Sequence, residues 1–329
     1  MNSIENSQAY RIVFMGTPGF AVPALKALHE SKHEVLMVVT QPDRKKGRGR
    51  KLAAPPVKST ALELGYEVFQ PESVKTDEFA EAILKLNPDL LLVIAFGQII
   101  PKAVLRAADR GAINLHASLL PKYRGPAPIQ WAIINREKET GVTTMFMDEG
   151  LDTGDMLLSQ PVEIGERETS GTLHDRLADV GADLVLETLG KLATGILSPV
   201  PQDERHSTYA PLLKKQDGRI DWTRPAKEIE SFIRGVNPWP GAFTFCDDRR
   251  LKIYTAQYLD MDTTADPGTV LVGFPCELRV ATGQGALVLE EIQGASGKCL
   301  LTKDFLCGCH IAPGTRLRNY ERHRPPKRT

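Results

Sequence analysis

Up to about residue 195 the pattern of hydrophobic and polar positions switches repeatedly between two periods. Continuous apolar runs at Arg11 to Met15, Val35 to Thr40 and Leu90 to Ala95 have the length and Val/Ile/Leu content of buried strands. Between the first two, Val22, Leu25 and Leu28 share one face of a helix that runs to Ser31, with Pro23 tolerable in its first turn. A helix from about Pro56 to Leu64 precedes a strand around Glu67 to Phe69. Thr76 reads as an N-cap, with Asp77 and Glu78 in the first turn of a helix that ends before Pro88. A short helix near Lys102 to Ala108 leads into the apolar run Gly111 to Ile113, which continues as a strand into Asn114 and His116. There follow a helix Ala127 to Asn135, strands Gly141 to Met147 and Met156 to Pro161, and a long helix from about Thr172 to Leu192. This alternation predicts an α/β domain with a parallel, doubly wound, Rossmann-like sheet.

Beyond that point the texture changes. Gly195 to Leu213 is irregular, with Pro199, Pro201 and Pro211. After one amphipathic helix, Pro225 to Val236, short β-like runs recur at Ala242 to Cys246, Leu251 to Gln257, Thr269 to Val272, Leu278 to Ala281 and Ala286 to Ile292. Gly and Asp turns between such runs predict a small β-barrel of OB-like type, an architecture often used as a nucleic-acid platform. The expected organisation is an N-terminal domain over 1–195, a linker over 196–214 and a C-terminal barrel over 215–329.

Composition adds little to this until charge is mapped. The 329 residues are 42% hydrophobic and 25% charged, values of an ordinary globular protein. No apolar run reaches the roughly 20 residues that span a bilayer, and the polar start, Met1 to Ala9, lacks the layout of a secretory signal. Five scattered cysteines fit a reduced, cytoplasmic protein, and a monomer of two domains suffices. The net charge of zero is unevenly spread, however. Arg44, Lys45, Lys46, Arg48, Arg50, Lys51 and Lys58 crowd one loop against a lone Asp43, and Arg316, Arg318, Arg322, Arg324, Lys327 and Arg328 end the chain. Two basic segments in a neutral chain point to a polyanion, of which nucleic acid is the commonest.

Three motifs fail as functional sites. Gly16-Thr17-Pro18-Gly19 lacks the third glycine of a dinucleotide fingerprint and reads as a tight turn. Asp152-Thr153-Gly154 occurs once, whereas aspartic-protease chemistry needs two carboxylates sharing a proton. Cys307-Gly308-Cys309-His310 lacks the paired spacing of structural zinc sites, and no metal is expected.

What remains is Asn114, His116 and Asp152. Strand alternation projects Asn114, His116 and Ser118 to one side at a strand's C-terminal end, where ligands settle in open α/β sheets. Gly150 and Gly154 give the Asp152 loop the freedom to reach a neighbouring strand end. A neutral imidazole can accept a proton, a carboxylate can orient it, and a carboxamide can stabilise charge developing on a carbonyl oxygen. With no Ser or Cys arranged as a covalent nucleophile, the residues point to direct acyl-type transfer to an amine, leaving donor and acceptor open.

Asn114-Leu115-His116-x-Ser118-Leu119-Leu120-Pro121-x-x-Arg124-Gly125, followed by Gly150-Leu151-Asp152-Thr153-Gly154-Asp155, strongly resembles the folate-dependent formyltransferases. Three further stretches extend the resemblance over almost the whole chain: Phe14 to Pro18 with Phe20-Ala21, Thr40 to Arg44 with Gly47-Arg48-Gly49, and Ile220-Asp221-Trp222 with Asn237 to Pro240. They narrow it to members whose acceptor is methionine carried by the initiator tRNA. The resemblance implies 10-formyltetrahydrofolate as co-substrate, Asn114 and His116 flanking the formyl carbonyl, Asp152 supporting His116, and Ser118, Leu119, Leu120 and Pro121 lining the folate site. It further implies that the basic loop Gln41 to Lys58, Arg48 above all, meets the acceptor end of the tRNA, and that the barrel holds the tRNA backbone. A formyltransferase acting on glycinamide ribonucleotide or an amino sugar would share the Asn-His-Asp set without needing the basic loop or barrel. A nicotinamide oxidoreductase would instead bind a dinucleotide, and a non-catalytic RNA-binding module would leave the folate signature without purpose.

Overall fold

The computed structural model describes residues 8–46, 51–274, 276–294 and 297–318. Arg48 and Arg50 of the basic loop, and Arg322, Arg324, Lys327 and Arg328 of the tail, lie outside the described residues. The chain divides into two compact units, one built from within Met1–Pro128, Glu139–Glu163 and His174–Ala210, the other from within Ile129–Lys138, Ile164–Leu173 and Pro211–Thr329.

In the first unit the strands are β1 (Arg11–Gly16), β2 (Glu34–Val39), β3 (Arg44–Lys46), β4 (Lys51–Ala53), β5 (Val68–Phe69), β6 (Leu90–Ile94), β7 (Ala112–His116), β8 (Glu139–Phe146) and β9 (Met156–Glu163). Seven of them form one sheet in the order β5-β2-β1-β6-β7-β8-β9. Val13 and Met15 of β1 and Leu91 and Val93 of β6 enter a core with Phe79, Ile83 and Val104. The intervening Ile12, Phe14, Leu90, Leu92 and Ile94 are fully buried as well. Both faces are therefore covered, which is why these strands read as unbroken apolar runs. Helices α1 (Val22–His29), α2 (Pro56–Glu63), α3 (Asp77–Lys85) and α4 (Lys102–Leu105) follow the expected alternation. The Thr76 hydroxyl accepts from the Phe79 amide at 3.3 Å, the N-cap that the sequence indicated.

The pairing is parallel from β5 through β7. The wholly parallel sheet needs correcting at its far side: β8 runs antiparallel to β7, and β9 antiparallel to β8. His116 pairs with Thr143 and Ile113 with Phe146. The chain leaving β7 thus re-enters the sheet at the end it left, without the crossover that parallel pairing requires. A second departure is the antiparallel hairpin β3–β4 inside the basic loop, where Lys46 stands opposite Lys51.

Two helices, α5 (Pro128–Ile134) and the long α6 (Ser170–Ala193), carry residues of both units. The second unit adds α7 (Ala226–Gly235), β10 (Ala242–Cys246), β11 (Arg249–Leu259), β12 (Leu278–Ala281), β13 (Ala286–Gln293), β14 (Leu300–Leu301) and α8 (Thr302–Gly308). Its sheet is antiparallel, ordered β10-β11-β13-β12, with β14 on β13. The run Thr269 to Val272 appears only as isolated bridges, Val270 to Val280 and Thr269 to Arg316, and a further bridge joins Arg318 to Phe245 of β10. Trp222 is buried there, its indole N–H donating to Thr244 Oγ1 at 2.9 Å. Among the described residues no helix is long and apolar enough to cross a membrane.

Candidate active site

Strand β7 carries the polar pair. Leu115 turns toward Gly181 of α6, where an added Cβ would stand 2.6 Å from a Leu115 methyl, so Asn114 and His116 occupy the other face. Both are nearly inaccessible, at 8% and 7% exposure. Among the described residues nothing hydrogen-bonds the Asn114 carboxamide. Held at the end of a strand, that amide is available to a ligand oxygen.

His116 is oriented from both sides. Its Nε2 lies 2.9 Å from the carbonyl oxygen of Tyr123. A carbonyl can only accept, so Nε2 carries the hydrogen and the neutral ring keeps its lone pair on Nδ1. Nδ1 faces Asp152 Oδ2 at 3.7 Å. The same carboxylate oxygen accepts the Gly125 amide at 2.7 Å. Gly125 has φ +108°, and a Cβ there would sit 2.6 Å from Tyr209 Cε2 and 3.0 Å from the Ala210 carbonyl. Only glycine brings this amide to Asp152.

The four residues expected to line a folate site divide in two. Ser118 is fully buried, its hydroxyl donating to Lys122 O at 2.6 Å and its carbonyl accepting from Thr143 Oγ1 at 2.7 Å. Leu120 is buried also, while Leu119 and Pro121 are half-buried, with a cis bond between Leu120 and Pro121. Ser118 and Leu120 therefore shape the turn, and Leu119 and Pro121 present its surface.

A cavity of about 370 Å³, which the sequence did not indicate, opens at the ends of β1, β2 and β6. Pro18, Pro42, Pro55, Ala53 and Phe96 line it, with Gln41, Arg44 and Lys45 as its polar wall. It lies where the sheet order reverses, between β1 and β6, the usual ligand position in such sheets. Val93 pairs with Asn114, so two residues on, Ala95 at the cavity's edge is level with His116 on the neighbouring strand. Of the basic-loop residues, Arg44, Lys45 and Lys51 are exposed, and Lys46 lies on β3. At the root of the hairpin Lys58 donates to Asp43 at 2.8 Å and Gln70 at 2.8 Å, holding the Asp43 carboxyl below its ordinary range. Among the described residues no three His, Cys, Asp or Glu gather as metal ligands would.

In this parallel-dominated α/β sheet, Asn114 and His116 are buried at the C-terminal end of β7, and the half-buried Asp152 faces His116 from the loop between β8 and β9. The model of the formyl transferase family matches residues 10–189, and that of the formyl transferase C-terminal domain matches 212–310. The chain belongs to the formyl transferase family. It is 50% identical to the methionyl-tRNA formyltransferase of Caldanaerobacter subterraneus subsp. tengcongensis, over 94% of this chain and 100% of that one. It is 52% identical to that of Citrifermentans bemidjiense, over 92% of this chain and 95% of the relative. Among solved structures, WlaRD, a sugar 3N-formyl transferase crystallised in the presence of dTDP and 5-N-formyl-THF, superposes with a TM-score of 0.64 over 88% of this chain and 100% of that chain. At 18% identity that likeness concerns the fold alone.

Proposed function

We infer that the chain transfers a formyl group from 10-formyltetrahydrofolate to the α-amino group of methionine carried by initiator tRNA. The observation that carries the chemistry is the unpartnered Asn114 carboxamide beside a histidine whose Nδ1 alone is free to take a proton. The relatives' shared name, over nearly the full length of both chains, supports the acceptor.

The formyl donor supplies, when bound, a carbonyl carbon that an amine can attack. A folate presents a flat ring with a polar edge, and this chain fits it with the half-buried Leu119 and Pro121 and the exposed main chain of Ala95 and Gly97, apolar surface beside backbone groups. As the new C–N bond forms, Asn114 donates its amide hydrogens to the formyl oxygen on which charge gathers. His116 Nδ1 receives the proton that the attacking nitrogen sheds, and the Asp152 carboxylate offsets the charge that arrives on the ring. His116 then gives that proton to the folate nitrogen as the bond between this nitrogen and the formyl carbon breaks, so that tetrahydrofolate leaves and the formyl group stays on the amine. Tyr123 O and the Gly125 amide keep ring and carboxylate facing each other throughout.

The cavity under the basic hairpin supports an acceptor that combines an apolar group with a phosphate chain, as an aminoacylated RNA end does. Arg44, Lys45, Lys46, Lys51, Arg48 and Arg50 are its expected phosphate contacts. In the second unit the bridges running Val280–Val270, Thr269–Arg316 and Arg318–Phe245 carry pairing from the last strand round to the first, which favours a small closed barrel as the tRNA platform. We take the protein to be a cytoplasmic monomer with a catalytic domain to about 195 and the platform from about 215. The acceptor is tested by offering 10-formyltetrahydrofolate together with methionyl-tRNA, glycinamide ribonucleotide and an amino sugar in one reaction. N-formylmethionyl-tRNA is the expected product, and preferential formylation of either small amine overturns the reading.

A further inference from the structure

We propose that Gln202 is a positioning residue for formyl transfer, holding the Asp152 carboxylate opposite His116 through the main chain of residues 152–154. This rests on reading His116 and Asp152 as the pair that handles the proton. Asp152 has φ +54°, a left-handed backbone that is uncommon outside glycine, although Asp adopts it more readily than most residues. One side chain braces that turn here. Gln202 Nε2 donates to the Asp152 carbonyl at 2.9 Å and to the Gly154 carbonyl at 2.8 Å, spanning the turn that displays the carboxylate.

The orientation of that carboxamide is not free. Gln202 Oε1 accepts from Arg124 Nε at 3.0 Å and from Nη2 at 2.8 Å. A guanidinium has no acceptor, so the oxygen must face Arg124 and the N–H groups must face the loop. Arg124 is buried and is itself fixed, with Nη1 at 3.0 Å and Nη2 at 2.7 Å from the two oxygens of Glu204. The backbone is held in parallel: the Arg124 amide donates to Thr208 O at 2.9 Å, the Ala210 amide donates to Arg124 O at 2.7 Å, and the Tyr123 amide donates to Thr208 Oγ1 at 2.7 Å.

One strap, 202–210, thus grips both halves of the site. On one side it fixes Tyr123 to Gly125, which supply the acceptor for His116 Nε2 and the amide for Asp152 Oδ2. On the other, through Gln202, it fixes the loop that carries Asp152. Losing Gln202 removes no catalytic side chain but frees the loop that sets the 3.7 Å approach of Asp152 to His116.

Gln202→Met keeps the side chain's length and removes its hydrogen bonds. Its kcat for formyl transfer is expected to fall about tenfold to a hundredfold, the scale of a small misplacement, while KM for folate and for tRNA stays within about threefold. In an Asp152→Asn background the same change should cost less than about twofold, because no carboxylate remains to be placed. Independently of activity, the Gly125 amide proton, which reports its bond to Asp152, should shift in the NMR spectrum of Gln202→Met. A kcat within about twofold of wild type, an equal loss in both backgrounds, or an unmoved Gly125 amide overturns the proposal. Should Gln202→Met fold poorly, Gln202→Glu, which keeps the Arg124 pair and turns a carboxylate toward two carbonyls, must show the same kcat loss and amide shift. A wild-type protein that transfers no formyl group while its Gly125 amide still responds sinks the functional reading and leaves the positioning geometry standing.

Discussion

At the scale of residues, the site is a division of labour among hydrogen-bonding capacities. His116 spends one nitrogen on Tyr123 O, and so its other nitrogen has a single role left. Among the described residues no side chain or backbone group hydrogen-bonds the Asn114 carboxamide, which leaves it available to a ligand oxygen. Asn114→Ala should therefore lower kcat by about a hundredfold to a thousandfold, the effect of deleting one oxyanion donor, with the melting temperature unchanged or slightly raised. Steady-state kinetics and a thermal melt on one preparation check both halves, and a stability loss that accompanies the activity loss would point to a structural amide instead. Asn114, His116 and Asp152 were legible in the sequence because strand alternation and a glycine-flanked loop bring them forward. Tyr123 and Gln202 were not legible. The first contributes only a backbone carbonyl, and the second lies 50 residues from its partner among prolines that carry no periodic signal.

At the scale of elements, the apolar runs that gave β1 and β6 are legible because both faces of those strands are covered. The direction of β8 left no such trace, since an antiparallel strand buried on both sides reads like a parallel one. The hairpin β3–β4 was hidden under its charges, for strand propensity in Arg-Lys-Lys is weak and pairing supplies what propensity does not. Its anchor is the Asp43, Lys58 and Gln70 cluster. Lys58 first, then Gln70, lowers the Asp43 carboxyl from its ordinary value of 3.8, so the anchoring is complete above that value and is lost as pH falls through the lowered one. At neutral pH it should be fully in place. Asp43→Asn should then speed tryptic cleavage after Arg44, Lys45 and Lys51 by about threefold or more at unchanged global stability. Cleavage at the wild-type rate would mean that the hairpin is held elsewhere.

At the scale of the whole molecule, the chain divides into two units with different architectures, one with a parallel-dominated sheet and one with an antiparallel sheet. The sequence changes texture near residue 195, whereas the first unit extends to Ala210 and the second resumes at Pro211. The assignment of Ile129–Lys138 and Ile164–Leu173 to the second unit was not legible, because those segments are recruited by contacts distant in sequence. An acceptor held largely through phosphates requires tRNA affinity that falls steeply and log-linearly with salt, while folate affinity changes little. The central claim, that an unpartnered amide and a one-sided histidine move a formyl group onto an RNA-borne amine, is tested most directly by one assay. It is the single-turnover rate of N-formylmethionyl-tRNA formation from 10-formyltetrahydrofolate by the full chain, with wild type and His116→Ala measured side by side. The wild type should form the product rapidly and His116→Ala about a hundredfold or more slowly. A variant that keeps the wild-type rate, or a wild type that leaves the methionyl amine unformylated, would contradict it.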